Sequence, residues 1–456
     1  MPLVLTPYVY KHITAPVVGI SDYAGSIMQW FILIGILGVN IYGNREIARV
    51  RDNKDTLSET FFEIFWMQML NMIIMAAAYY GFITFAIKEN YTIFVLAGTT
   101  MLASMLDITW FFYGVEDFKK ASIRNITVKI IGVTMIMLLC KTPEDLWKYV
   151  LINSGSELIG QFIMFFQLRQ YIEFKPVSLI NAYKHHFIAT FRLFVPTIAI
   201  SVYTMLDRTM LGALHSAEHL NYYKTAMGFI QMFLYFITSI GTVVLSRVSN
   251  VIRNQADGEE QTEALINTTM KFSCLLAFPM CFGMIAIARS FVHWFLPTAP
   301  IIADLIMYGS PIIVFISMSN VTGIQYMVPV GLEKQYTRSV LAGAFLNFIL
   351  NTFLIPRYGA YGAILASVAA EFTVFAVQYS VVIRHTRLSF LDRSYLIYLL
   401  GSIIMFVIVH YAASFLPASF PGTLTAIVLG MIVYGMILLV TKEDLTGRIL
   451  SRFIRR

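Results

Sequence analysis

The sequence predicts an all-α integral membrane protein of about 14 spans: two pseudo-symmetric six-helix lobes plus two extra C-terminal helices, with the first span truncated. Three observations predict it. The composition is too apolar for a water-facing skin: 58% of the 456 residues are hydrophobic and 13% are charged, about half the charged share of an average soluble domain, and the mean hydropathy is +0.70. The apolar residues gather into stretches of membrane-crossing length. A set of features near the N-terminus also recurs about 200 residues on. Together these exclude a soluble enzyme, a disordered chain and a disulfide-stapled secreted module.

A membrane helix needs about 20 mostly apolar residues. Thirteen stretches qualify: 22–42, 62–87, 91–114, 124–140, 148–168, 187–211, 225–246, 268–288, 304–328, 338–355, 360–383, 395–412 and 421–440. A fourteenth, 1–18, is short, carries Pro2, Pro7 and Pro16, and lacks the preceding basic region of a signal peptide.

The loops alternate in basic charge. One side holds Arg45, Arg49, Arg51, Lys54, Lys119, Lys120, Arg124, Lys129, Arg169, Lys175, Lys184, Arg192, Arg247, Arg253, Lys271, Lys334, Arg338, Arg384, Arg387, Arg393, Lys442, Arg448, Arg452, Arg455 and Arg456. The other holds Lys11, Lys88, Lys141, Lys148, Lys224, Arg289 and Arg357, and Arg208, near the outer end of span 187–211, is assigned to neither side. The positive-inside rule places the larger set in the cytoplasm, and an even span count places both termini there. Reporter fusions at Asp55, Asn254 and Arg387 are therefore expected to be cytoplasmic; a single external reading would break the count. The net charge of +7 is thus a topology signal, and no nucleic-acid partner is expected. Cys140, Cys274 and Cys281 lie in apolar surroundings without metal-type spacing and are expected to be inert core thiols.

The repeat begins at Gly19-Ile20-Ser21-Asp22-Tyr23, followed by an apolar span containing Gly38 and then Arg45, Arg49 and Arg51. Its second copy runs from Gly212 through Asn221-Tyr222-Tyr223, an apolar span containing Gly241, and then Arg247 and Arg253. Six spans separate the copies, so both run the same way across the membrane. Two parallel six-span lobes suit a transporter with substrate at their interface, although any two membrane hairpins share some features. The expected units are 1–180, 181–388 and a remainder 389–456 with a basic cytoplasmic tail. Matching Val17-Val18-Gly19 to Met210-Leu211-Gly212 aligns Met1 with Phe194. The first helix is then short by about half, so either the native start lies upstream or this span is degenerate.

A charged group at mid-bilayer costs about 2.5–3.5 kcal/mol on insertion scales and usually faces a wet cavity. Asp107, Trp110, Phe111 and Gly114 share one helical face by spacing, as a cavity wall would; alternatively Asp107 neutralises Lys129 as a static pair. Glu157 sits among Asn153, Ser154, Ser156 and Gln161, and Glu371 beside small residues. Either is equally explained as a protonated packing group. Asp207 and Arg208 lie near the outer end of span seven, where snorkelling is cheap. Of the many aromatic residues, Trp110, Tyr203, Tyr222 and Tyr223 are placed for a cavity. His185-His186 reads as an interfacial flank rather than a metal site, and Asn347/Asn351 as helix–helix glue. No phosphate-binding Gly-x-x-x-x-Gly-Lys loop, zinc-protease motif or nucleophile elbow is present. The longest extramembrane stretch, 169–186, is too short for a catalytic domain. The protein is therefore expected not to be an enzyme and to need no cofactor, with transport driven by an ion gradient or by the substrate's own.

Four segments resemble the Wzx-type oligosaccharide flippases of the multidrug, oligosaccharidyl-lipid and polysaccharide exporter group. They are Tyr42-Gly43-Asn44-Arg45-Glu46-Ile47-Ala48-Arg49, Asp107-Ile108-Thr109-Trp110 through Gly114-Val115-Glu116-Asp117-Phe118, Pro196 through Tyr203-Thr204-Met205-Leu206-Asp207-Arg208-Thr209-Met210-Leu211-Gly212, and Ile355-Pro356-Arg357-Tyr358-Gly359-Ala360-Tyr361-Gly362-Ala363. The departure is the N-terminus, where members of that group have a full first helix. The resemblance implies translocation of a polyprenyl-pyrophosphate-linked oligosaccharide from the inner to the outer leaflet of a bacterial cytoplasmic membrane. It also implies a polymerase and glycosyltransferases of the same pathway as partners. On this reading Arg208, Arg45 and Arg49 would meet the pyrophosphate, and Trp110, Tyr203 and Tyr222 would stack on sugars. Asp107 or Glu157, with Asp207 and Glu371 as further cavity acids, would bind a coupling H+ or Na+. The last two spans would extend a groove for the polyprenyl tail.

Two rivals stand beside it. A cation-coupled drug antiporter of the same architecture would need an acidic rather than a mixed cavity. A membrane-embedded glycan polymerase or acyltransferase would need a large outer loop. A passive scaffold or channel would leave the duplicated lobes unexplained.

Overall fold

The computed structural model describes residues 2–254, 258–386 and 392–443, without the side chains of residues 2, 193, 195–200, 202–203, 239–254 and 258–260. The described secondary structure is helical throughout. Ten helices or broken helical runs among the described residues are long and apolar enough to cross a membrane. The protein is a multi-pass membrane protein, in two compact units: Met1–Asn221 and Tyr222–Arg456.

In the first unit, α1 (Pro2–His12) is 11 residues long. A turn at Thr14 separates it from α2 (Ala15–Ile36), whose first turn takes Pro16, where a missing N–H costs nothing. The expected span 22–42 does not run straight. It breaks at Leu37 (φ 48°) and Gly38 (φ 77°) and resumes as α3 (Val39–Val50). Next come α4 (Lys54–Ala86), α8 (Phe118–Leu139), α9 (Leu146–Leu168) and α10 (Leu179–Leu214), with the chain between α4 and α8 in three short pieces. A Cβ on Gly38 would lie 3.2–3.3 Å from the backbone of Phe194 and Thr190 in α10. The break is thus also where that helix approaches closest, and glycine answers both demands.

The second departure is span 91–114, which divides into α5 (Tyr91–Ala97), α6 (Thr100–Met105) and α7 (Thr109–Gly114). Asp107 therefore does not continue a helical face with Trp110, Phe111 and Gly114, because the helical register stops between Met105 and Thr109. The local cause is the aspartate itself. Its Oδ1 accepts the Thr109 backbone N–H at 2.9 Å, a bond that competes with helix continuation. Within a membrane the freed carbonyls need donors. Gln68 of α4 supplies one, its Nε2 lying 3.2, 3.3 and 3.0 Å from the carbonyls of Ser104, Met105 and Asp107.

The paired helices α8 and α9 meet through small residues: Gly132 faces Ser156, and Gly160 faces Arg124 and Val128, as packing in lipid favours. Helix α10 contains span seven, expected to open the second lobe; it packs on α2, α3 and α4 in the first unit. Beyond it, α11 (Ala217–Asn254) begins with a tie back to α1 and α2. Tyr10 donates to Asn221 Oδ1 at 2.5 Å, and Asn221 Nδ2 donates to Asp22 at 2.7 Å. Gly19 faces the Ala217 carbonyl so closely that any Cβ there would collide with it. Gly19→Val is expected to cost at least about 1–3 kcal/mol by overpacking, seen as a lowered thermal midpoint of the purified protein.

The second unit holds the rest of α11, then α12 (Gly258–Phe295), α13 (Ile301–Gly309), α14 (Pro311–Ser319), α15 (Glu333–Tyr358), α16 (Ala360–Val382), α17 (Arg393–Phe415) and α18 (Phe420–Val440). Here too an expected span, 304–328, is interrupted, at Pro311, and it ends in a π-helical turn, Asn320–Met327. Helices α15 and α16 form a tight hairpin turning at Gly359. The last two helices pack on α12 within this unit. Asp392 caps α17 and pairs with Lys271 of α12 at 2.5 Å, which holds its carboxyl below the usual range. Cys140, Cys274 and Cys281 are free thiols, and all three are buried.

Candidate functional site

The break between α6 and α7 organises a charged set in the first unit. Asp107 Oδ1 also accepts the Thr109 hydroxyl at 2.5 Å. Thr109 Oγ1 in turn accepts from Arg124 Nη2 at 2.9 Å. Arg124 is only 8% exposed, and its Nε has no hydrogen-bond partner among the described residues. Glu157 of α9 is exposed and interacts electrostatically with Asp107, Lys129 and Arg124. A guanidinium has five donors to satisfy, and a buried cation is costly unless balanced. Two acids and two cations here balance one another across the break, α8 and α9. Such a set can exchange partners with an anion or a cation without leaving a net charge buried.

This corrects two expectations. Arg124, counted among the cytoplasmic loop cations, is inside α8 and buried. Asp107 is linked to Arg124 through Thr109, and no Asp107–Lys129 ion pair occurs among the described residues.

Trp110 stands elsewhere than a cavity wall. It is 1% exposed and stacks on Phe61 at 5.6 Å between centroids. Gly43 lies against its edge, where a Cβ would sit 2.5 Å away. Its indole N–H donates to Gln68 Oε1 at 3.0 Å. In this conformation the ring belongs to the core.

Arg45 and Arg49 lie on α3, 45% and 62% exposed, and both reach Glu46. In α10, Asp207 is buried at 4%. Arg208 beside it is half-buried, with no hydrogen bond or ion pair among the described residues. One residue on, Thr209 accepts the Trp30 indole N–H at 2.8 Å. The Tyr203 side chain is outside the described residues. Tyr222 and Glu371, both half-buried, belong to the second unit. Glu371 shares a face of α16 with Ser367 and Gln378 by helical spacing. Ser367 meets the Tyr223 hydroxyl at 3.0 Å, and Gln378 joins Thr322 of the π-turn (2.7 Å) to Ser339 of α15 (3.1 Å). Tyr336 interacts electrostatically with Glu371. Of the residues singled out from the sequence, the structure brings together Asp107 with Glu157, Arg45 with Arg49 on Glu46, and Asn347 with Asn351.

One residue expected at the surface is buried. His186, expected to be an interfacial flank, is 3% exposed. Its Nδ1 lies 2.7 Å from the Tyr42 hydroxyl and its Nε2 lies 2.9 Å from Glu63 Oε2. A signal for it exists in the sequence: Ala182, His186, Thr190 and Phe194 recur every fourth residue, and all are buried.

Residues 1–249, more than half of the chain, match the family model described as polysaccharide biosynthesis protein. The Escherichia coli K12 protein named "Putative O-antigen transporter" is 22% identical over 388 residues, covering 81% of this chain and 90% of its own. The Haloferax volcanii protein named "Probable low-salt glycan biosynthesis flippase Agl15" is 24% identical over 186 residues, covering 40% and 38%. Among solved structures, "Lipid II flippase MurJ, inward closed conformation" superposes with a TM-score of 0.76 at 18% identity, covering 97% of both chains. A multidrug resistance MATE family transporter of the MOP superfamily, in an inward-facing conformation, gives 0.60 at 10% identity, covering 85% of this chain and 96% of its own. These two likenesses concern the fold; the family match places the chain. This multi-pass membrane protein belongs to the polysaccharide biosynthesis protein family.

Proposed function

We propose that the protein is a flippase that carries a polyprenyl-pyrophosphate-linked oligosaccharide from the inner to the outer leaflet of a bacterial cytoplasmic membrane, for cell-surface polysaccharide synthesis. The observation that carries this reading is the alignment, over 81% of the chain, with a relative named for O-antigen transport. The physical chemistry agrees. A sugar head bears many hydroxyls, and each unpaired polar group costs several kcal/mol in hydrocarbon. The apolar tail can stay in lipid. Arg208, Arg45 and Arg49 would meet the pyrophosphate, and Tyr203 and Tyr222 the sugars. Asp107, Glu157, Asp207 and Glu371 are the acids for a coupling H+ or Na+ in an alternating-access cycle. Both termini would be cytoplasmic; glycosyltransferases would act before translocation and a polymerase after it.

The test is a leaflet-specific assay of lipid-linked repeat units in a strain lacking the gene. Repeat units confined to the inner leaflet support a flippase. Normal translocation with unpolymerised units outside would instead indicate a polymerase. Normal glycan together with lost resistance to amphipathic cations would indicate a drug antiporter.

A further inference from the structure

The Tyr42–His186–Glu63 cluster joins three helices, α3, α10 and α4, through side chains 144 and 123 residues apart in sequence. We propose that it is a proton-binding site whose occupancy decides how firmly α3 is held to α10.

The chemistry follows from the two partners of one imidazole. An ionised carboxylate only accepts, so Glu63 sets the tautomer: Nε2–H donates to Glu63, and Nδ1 accepts the Tyr42 O–H. Uptake of one proton at Nδ1 gives an imidazolium that donates from both nitrogens. Toward Glu63 the bond becomes an ion pair and tightens. Toward Tyr42 it inverts: the phenol oxygen must accept, and its own hydrogen loses the nitrogen it was given to. No other acceptor for the Tyr42 hydroxyl occurs among the described residues, and an unsatisfied buried donor is destabilising. Protonation therefore strengthens the α4–α10 tie and weakens the α3–α10 tie.

The charged surroundings are mixed. Glu46 on α3 acts on both Tyr42 and His186, and Glu63 on α4 does the same; each carboxylate favours the imidazolium. Against it stand, first, the burial of the imidazole and then the adjacent His185 of α10, ring to ring at 4.7 Å; Arg45, which lies over the Tyr42 ring at 5.5 Å, and Arg49 act on the phenol. The Glu63 side chain is 21% exposed against 4% for the His186 side chain, so it is the open end of the cluster.

The site has mechanical reach because of where Tyr42 stands. It is one turn beyond the Leu37–Gly38 break. Gly38 itself touches α10 at Thr190 and Phe194, and the Thr190 hydroxyl donates to the His186 carbonyl at 2.7 Å. The broken helix thus holds α10 at two neighbouring points, one a fixed contact and the other dependent on a proton. That the proton drives translocation rests on the flippase reading; the existence of the site does not.

The test is hydrogen exchange of the purified full-length protein between pH 5 and 8, followed on peptides covering residues 38–48 and corrected for the intrinsic rate. Wild type is expected to lose protection there by about tenfold on the acid side. H186Q and Y42F are expected to show no such titration, and E63Q to show it at lower pH. A flat wild-type profile, or H186Q titrating like wild type, would overturn the proposal. Should H186Q fail to fold, Y42F decides alone, since it keeps the imidazole and removes only the switched bond. No lipid-linked sugar enters this measurement, so a titration that survives a failed flipping assay refutes the flippase reading and leaves the site standing. If both hold, the translocation rate of H186Q should be at least about threefold less pH-dependent than that of wild type.

Discussion

Trp110→Ala is expected to destabilise the protein by about 3–5 kcal/mol, the range for deleting a fully buried large aromatic. The ring stacks on Phe61, fills the space left by Gly43 and donates to Gln68. Gln68 also sits on the three carbonyls at the α6–α7 break. Losing the indole therefore empties a cavity and frees the amide that satisfies the break. The check is thermal unfolding in detergent beside Trp110→Phe, which keeps most of the packing and is expected to lose roughly 1–2 kcal/mol, mainly for the hydrogen bond. A Trp110→Ala protein with wild-type stability and lost translocation would return the residue to the sugar-stacking role its position in the sequence suggested.

Arg208→Ala is the second large effect, and it should fall on transport rather than on folding. Arg208 is half-buried and makes no hydrogen bond or ion pair among the described residues, so among these its removal orphans no partner. If it grips a pyrophosphate through two charge-assisted bonds of about 1.5–3 kcal/mol each, its loss slows translocation by about 10²–10⁴-fold. Arg208→Lys keeps the charge but loses the planar fork and should fall between. The measurement is complementation of a deletion strain, with the amount of membrane-inserted protein quantified alongside. Wild-type complementation by Arg208→Ala would remove the residue from the site.

The hydrophobic stretches foretold where helices run, because lipid demands long apolar segments and little else produces them. They did not foretell where helices stop inside the bilayer. Span 91–114 reads as one helix in composition; the local bond from the Thr109 N–H to Asp107 opens the break, and Gln68 of another helix donates to the carbonyls it frees. The same blindness applies to Arg124. By hydropathy it is a loop cation, whereas a glycine on α9, Gly160, gives its side chain somewhere to lie. Distant pairings such as Tyr42 with His186 leave almost no local trace. What remains locally visible is periodicity, and the fourfold spacing from Ala182 to Phe194 is its clearest instance.

The burial of all three thiols has a practical side. A membrane-impermeant maleimide should find nothing to label on the native chain. Single cysteines placed at Arg45, Arg208 or Tyr222 would then report their own accessibility, with no need to strip the natural ones first.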